Sequence, residues 1–196
     1  MADPTHRAAT AAYARGVEHY RRGEIDEAMG CFQDSIAQSP TFYRGFVFLG
    51  LCLARKGELD SAIEAYRECI EIEPTYDKAH NNLGEAWRRK LQMDKAAESF
   101  ETAARLKPEA LEYQQNLAMT WLDVKRPDRA VPALRRLVAL DPDTFEWSSK
   151  LAECLYQTGD ISGATETLDL FMKNHRDHLQ WPEMEARLKL LKRSTP

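Results

Sequence analysis

Apolar residues recur along this chain at helical spacing, in short blocks separated by breakers. Between Tyr43 and Tyr76, Phe46, Leu49, Gly50 and Leu53 fall at i, i+3, i+4 and i+7, the period of one helix face. Ala62, Ile63, Tyr66, Cys69 and Ile70 repeat that period on a second helix. Gly57 breaks the chain between the two. Pro74 closes the unit, because proline lacks the N–H needed to continue a helix.

The same unit returns every 34 residues. Gly16, Gly50, Gly84, Ala118 and Ala152 form one column, and Ala28, Ala62, Ala96, Ala130 and Ala164 a second. Phe32, Tyr66, Phe100, Leu134 and Leu168 form a third, and Pro40, Pro74, Pro108 and Pro142 a fourth. Small residues let one helix approach the next, and the large column fills the space beside them. An internal period of this length marks a stacked repeat architecture.

Local signals place the helix ends. Asp3 and Pro4 suit the start of a long first helix, Pro4 to Arg21. Asp26, Asp60, Asp94, Asp128 and Ser162 are expected to cap the second helices. Leu91 and Lys125 replace the turn glycines Gly23, Gly57 and Gly159, at a cost of about 1 kcal/mol each if the turn needs positive φ. Pro132 belongs in a first turn, so the eighth helix is expected to start late. Leu137 and Phe171 replace the small residues Ser35, Cys69 and Ala103, which predicts altered stacking after the fourth unit. At the C-terminus, Trp181, Met184, Leu188 and Leu191 predict the buried stripe of a capping helix over 181–193, with Ser194 to Pro196 frayed.

These columns resemble the tetratricopeptide repeat family. The resemblance covers Ala9 to His178, with units at 9–42, 43–76, 77–110, 111–144 and 145–178. It implies an all-α, right-handed solenoid of five helix pairs plus the capping helix, a single domain over 1–196, whose first helices line a concave groove. It further implies a non-catalytic adaptor or chaperone that binds a protein or peptide partner there. A self-assembling homo-oligomeric scaffold, and an accessory subunit of an enzyme or secretion complex docked by its convex face, are the alternative uses of the fold.

Composition narrows the field. The chain has 196 residues, 43% hydrophobic and 30% charged, with a net charge of −4. That balance gives no global field for nucleic acid or anionic membrane. No apolar run is long enough to span a bilayer, and the N-terminus has no signal-peptide core, so a cytoplasmic location is expected. Cys31, Cys52, Cys69 and Cys154 form no CxxC pair and read as slow-reacting core thiols. No cofactor, metal or catalytic constellation is predicted. His175, Asp177 and His178 are a weak metal set, and Lys125, Arg126, Arg129, Arg135 and Arg136 a solvated basic face.

The candidate site is the groove. At 100° per residue, Phe48, Leu51 and Arg55 point away from the partner helix, with Val47 beside them. Tyr13, Ala14, Val17, Tyr20 and Arg21 hold the corresponding region of the first unit. The third presents Lys78, Asn82, Glu85 and Arg89, the fourth Asn116, Met119 and Asp123, and the fifth Lys150, Glu153 and Gln157. Asn82 and Asn116 are placed to pair with a peptide backbone, since an amide both donates and accepts. The clamp by which some family members hold chaperone C-terminal carboxylates is not matched. Tyr13, Val17 and Phe48 replace its polar members, and Asn82 stands where arginine is wanted.

Overall fold

The computed structural model describes residues 4–175, 182, 186, 187, 189 and 190. Between residues 4 and 175 ten helices occur in the order α1 (Pro4–Arg22), α2 (Ile25–Gln38), α3 (Tyr43–Lys56), α4 (Leu59–Ile72), α5 (Asp77–Arg89), α6 (Met93–Leu106), α7 (Leu111–Asp123), α8 (Pro127–Leu140), α9 (Phe145–Gln157) and α10 (Ile161–Asn174). Among the described residues there is no strand. Connections of two or three residues make each odd helix the antiparallel partner of the next. The fold is all-α, and the chain packs as two compact units, Met1–Leu106 and Lys107–Pro196.

The turns inside the five pairs share one geometry. Gly23, Gly57 and Gly159 have φ of 80°, 84° and 89°, and Leu91 and Lys125 adopt 59° and 57° at the equivalent places. After α3, the Gly57 N–H donates to the Ala54 carbonyl (3.1 Å) and the Glu58 N–H to that of Leu53 (3.0 Å). Leu91 and Gln92 repeat both bonds after α5, and Lys125 and Arg126 after α7. These bonds satisfy last-turn carbonyls only when the turn residue is left-handed, so Leu91 and Lys125 accept the strain.

In Met1–Leu106 the glycine column has a direct steric cause. A Cβ added at Gly16 would lie 2.6 Å from the Phe32 ring, at Gly50 2.5 Å from Tyr66, and at Gly84 2.7 Å from Phe100. Phe32, Tyr66 and Phe100 are at most 1% exposed, so those rings have nowhere to move. In Lys107–Pro196 the third, large column holds the buried leucines Leu134 and Leu168, and the first holds buried Ala118 and Ala152.

Three expectations need correction. The second helices start at Ile25, Leu59, Met93, Pro127 and Ile161, so the aspartates sit inside the first turn rather than at the cap. Glu24, Glu58 and Arg126 hold the cap position without a side-chain bond to the helix N-terminus, whereas Asp160 accepts from the Gly163 N–H. Asp26 instead accepts from Lys56 (2.8 Å) and Asp60 from Lys90, each pairing with the following helix pair. Helix α8 begins at Pro127, with Pro132 in its interior and exposed, because Pro127 already fits N1. Cys31 is half-buried, unlike Cys52, Cys69 and Cys154, because it lies one residue off the inward column of Phe32. Burial pushes the Cys52 thiol up to about 11 and that of Cys69 to about 12.

Of the capping segment, Pro182, Ala186, Arg187, Lys189 and Leu190 are helical, and the Arg187 guanidinium donates to the Ser149 hydroxyl. Asp3, Asp177, His178, Trp181, Met184, Leu188, Leu191 and the end from Ser194 to Pro196 lie outside the described residues. No described helix is long and apolar enough to cross a membrane.

Candidate functional site

Six of the predicted groove residues converge on one cavity in Met1–Leu106. Tyr20 of α1, Leu51 and Arg55 of α3, and Asn82, Glu85 and Arg89 of α5 line a space of about 190 Å³, with Ala54, Tyr66 and Ala86. The odd helices contribute every lining residue except Tyr66, the ring that also fills the seam above Gly50. Helix α3 packs on both α1 and α5, which brings the three together.

Polar groups at the cavity are held by specific contacts. The Arg55 guanidinium lies over the Tyr20 ring, 4.6 Å from its centroid. Arg89 donates from Nη1 to the Ala54 carbonyl at 2.7 Å. Glu85 takes both of its bonds from Arg88, at 2.8 and 3.0 Å. Burial raises the Tyr66 pKa well above its ordinary value, keeping the phenol neutral.

The aromatic end of the predicted groove is packed differently. Val47 is 2% exposed and joins Cys69 and Ala79 in the core, so it offers no surface to a ligand. Its side chain points between helices because it lies next to Phe46 on the inward side of α3. Phe48 is half-buried, its ring 5.2 Å from Tyr13, 6.0 Å from Tyr20 and 5.3 Å from Phe32. Tyr13, Val17 and Tyr20 join it against the core of Ala28, Phe32 and Cys52. The rings therefore cover one another, and burial raises the Tyr13 pKa. Lys78 is exposed on α5 but does not line the cavity.

Asn116 and Met119 belong to Lys107–Pro196, both half-buried on α7. That unit carries another cavity, of about 600 Å³, lined by Lys150, Glu153, Cys154 and Gln157 of α9, Leu122 of α7, Lys125 of the turn and Pro127 of α8. Two of its lining side chains are engaged: Lys150 pairs with Glu146 (3.5 Å) and Gln157 donates to Glu153 (3.3 Å). The basic residues nearby are engaged too, Arg126 with Asp128, Arg135 with Asp160 and Arg129 over the Trp121 ring. His175 bonds Asp143 (2.9 Å), and no group of metal-ligating side chains comes together among the described residues.

The sequence pattern did not point to Ala54, Tyr66 or Ala86. The spacing of Tyr66 places it in the seam, and nothing in that spacing signals that the ring also reaches the cavity.

Helix pairs with a fixed 34-residue period, small-on-large seams and proline stops define an α-helical repeat protein. A TPR repeat model matches residues 50–89 and a tetratricopeptide repeat model residues 122–188, together more than half of the chain, which belongs to the tetratricopeptide repeat family. No curated relative matches it in sequence. The crystal structure of MamA protein is similar over 86% of this chain and 92% of its own, with 16% identity and a TM-score of 0.70. PilF of Pseudomonas aeruginosa matches over 98% and 96%, at 19% identity and 0.67. YrrB, described as a TPR protein with an unusual peptide-binding site, matches over 95% and 100%, at 13% identity and 0.67. At these identities the likeness is one of fold. Tetratricopeptide repeats are general scaffolds for protein–protein interaction.

Proposed function

We propose that this chain is a non-catalytic cytoplasmic adaptor that binds a segment of a partner polypeptide against the first helices of Met1–Leu106. The observation that carries this reading is the convergence of Tyr20, Leu51, Arg55, Asn82, Glu85 and Arg89 on one cavity. These residues come from three different helices, and the cavity combines apolar walls with an amide and two guanidinium groups. That mixture suits a peptide, whose side chains bury against Leu51 while its backbone pairs with the Asn82 amide. The free thiols fit a reducing compartment.

The test is an array of short random peptides probed with the wild-type protein and two variants. Leu51→Ala and Asn82→Ala should each weaken the selected peptides, Leu51→Ala by more. Burying an apolar side chain contributes about 1.5–3 kcal/mol, against about 0.5–1.5 kcal/mol for a neutral hydrogen bond. Glu98→Ala, on the exposed face of α6, should change nothing. Loss of binding in Glu98→Ala alone would move the site off the first helices.

A further inference from the structure

We infer that Arg55 and Arg89 form a carboxylate subsite of the 190 Å³ cavity, and that the segment bound there presents an Asp or Glu side chain to them. This deepens the peptide reading and rests on it. Arg21, Arg55 and Arg89 recur at the 34-residue period, in the last turns of α1, α3 and α5. The same place in Lys107–Pro196 holds Asp123 and Gln157, so the basic run is a property of the first three repeats alone.

Basic residues in a last turn complement the helix dipole whether or not a ligand exists. The dipole does not explain where these two side chains go. Arg55 leaves α3 to lie over Tyr20 of α1, and Arg89 leaves α5 to reach the Ala54 carbonyl of α3. Each guanidinium thus steps back onto the preceding first helix, and each anchor is uncharged: a ring face or a carbonyl. Glu85 is the one carboxylate among the lining residues, and both of its oxygens are taken by Arg88. Two cations are therefore held beside the cavity with no acid of the cavity lining left to neutralise them.

A guanidinium carries five N–H donors, so Arg89 keeps donors after its bond to Ala54. Its planar fork matches a carboxylate through two parallel bonds. Because both heads are already held, less side-chain freedom is lost on binding. The volume is below the roughly 300–1,000 Å³ typical of small-molecule sites, which favours one side chain over a free metabolite. Nucleic acid fits less well. Arg55 occupies a face of the Tyr20 ring that a base would need, and the net charge of −4 repels a polyanion.

The experiment takes acidic peptides selected from the random array and remakes each with Asn for Asp and Gln for Glu. Wild-type protein should select peptides rich in Asp and Glu, and the amide version should bind about tenfold more weakly, the size of a charged hydrogen bond. Arg89→Gln should lose about as much on the acidic peptide and almost nothing further on the amide one, the signature of a direct pair. Arg55→Gln gives the same comparison without disturbing any backbone bond, and so carries the test if Arg89→Gln lowers the melting temperature. Equal binding of acid and amide versions, with Asn82→Ala still weakening both, would overturn the subsite and leave the peptide site standing. Absence of any peptide binding would overturn both. Displacement of the acidic peptide by oligouridylate at equal concentration would overturn the assignment to a peptide acid.

Discussion

In Met1–Leu106 each seam glycine lies under an aromatic ring; in Lys107–Pro196 the same two places hold an alanine and a leucine. Gly50 with Tyr66 and Ala118 with Leu134 illustrate the two solutions. A methyl group gained on the first helix is matched by a smaller side chain on the second, and Tyr66, Ala118 and Leu134 are all buried. The period dictates the pair of positions, and the residues must change together. The cavities of the two units differ in a parallel way. In that of Lys107–Pro196, Lys150 is paired with Glu146 and Glu153 accepts from Gln157. That of Met1–Leu106 holds two guanidinium groups on uncharged anchors, which makes it the better candidate for a ligand.

The sharpest way to break the comparison is to put the solution of one unit into the other. Gly50→Ala places a Cβ 2.5 Å from the Tyr66 ring and should cost about 1–3 kcal/mol in urea denaturation. Gly50→Ala combined with Tyr66→Leu rebuilds the pair found at Ala118 and Leu134, and should recover part of that loss. If the double variant is no better than the sum of the two single ones, the seams are not equivalent.

A smaller effect is expected at the turns. Leu91→Gly in one unit and Lys125→Gly in the other should each relieve about 1 kcal/mol of left-handed strain, less the extra freedom that glycine gives the unfolded chain. Both denaturation midpoints should rise. A fall in either would mean that the larger side chain holds a contact worth more than the strain.

The smallest effect concerns Lys107–Pro196 alone. The Asp143 carboxylate and the Phe171 carbonyl both accept from the His175 ring, at 2.9 and 3.0 Å, and raise its pKa above 6.5. A raised folded-state pKa gives a contribution that is complete below the unfolded value and lost as pH rises through the folded one. The denaturation midpoint should therefore drift down as pH rises from the unfolded value through the raised folded-state one, and His175→Gln should remove that part of the slope. Asp143 is 85% exposed, so solvent screening keeps the effect small.

The fold was legible because its signals are local or periodic. Proline stops, turn glycines and the 34-residue columns each constrain backbone that lies close in sequence, and even the strain at Leu91 and Lys125 could be read from their register. The aspartates put the starts of the second helices two residues late, because an aspartate in the first turn looks like a cap until its partner is known. That partner is a lysine of the next repeat, as in Lys56 with Asp26.

The sequence by itself determined the repeat, the helix pairs, the small-on-large seams and the face on which Arg55, Asn82 and Arg89 lie. Only the tertiary structure decided which residues of that face remain available. Val47 and Phe48 look alike in a helical projection, but neighbouring helices bury the first and ring the second with Tyr13, Tyr20 and Phe32. Helical periodicity fixes the direction of a side chain around its own axis, whereas exposure depends on the size and reach of side chains from other helices. For the same reason the anchors of Arg55 and Arg89, a ring on α1 and a carbonyl on α3, come into view only once the helices are packed.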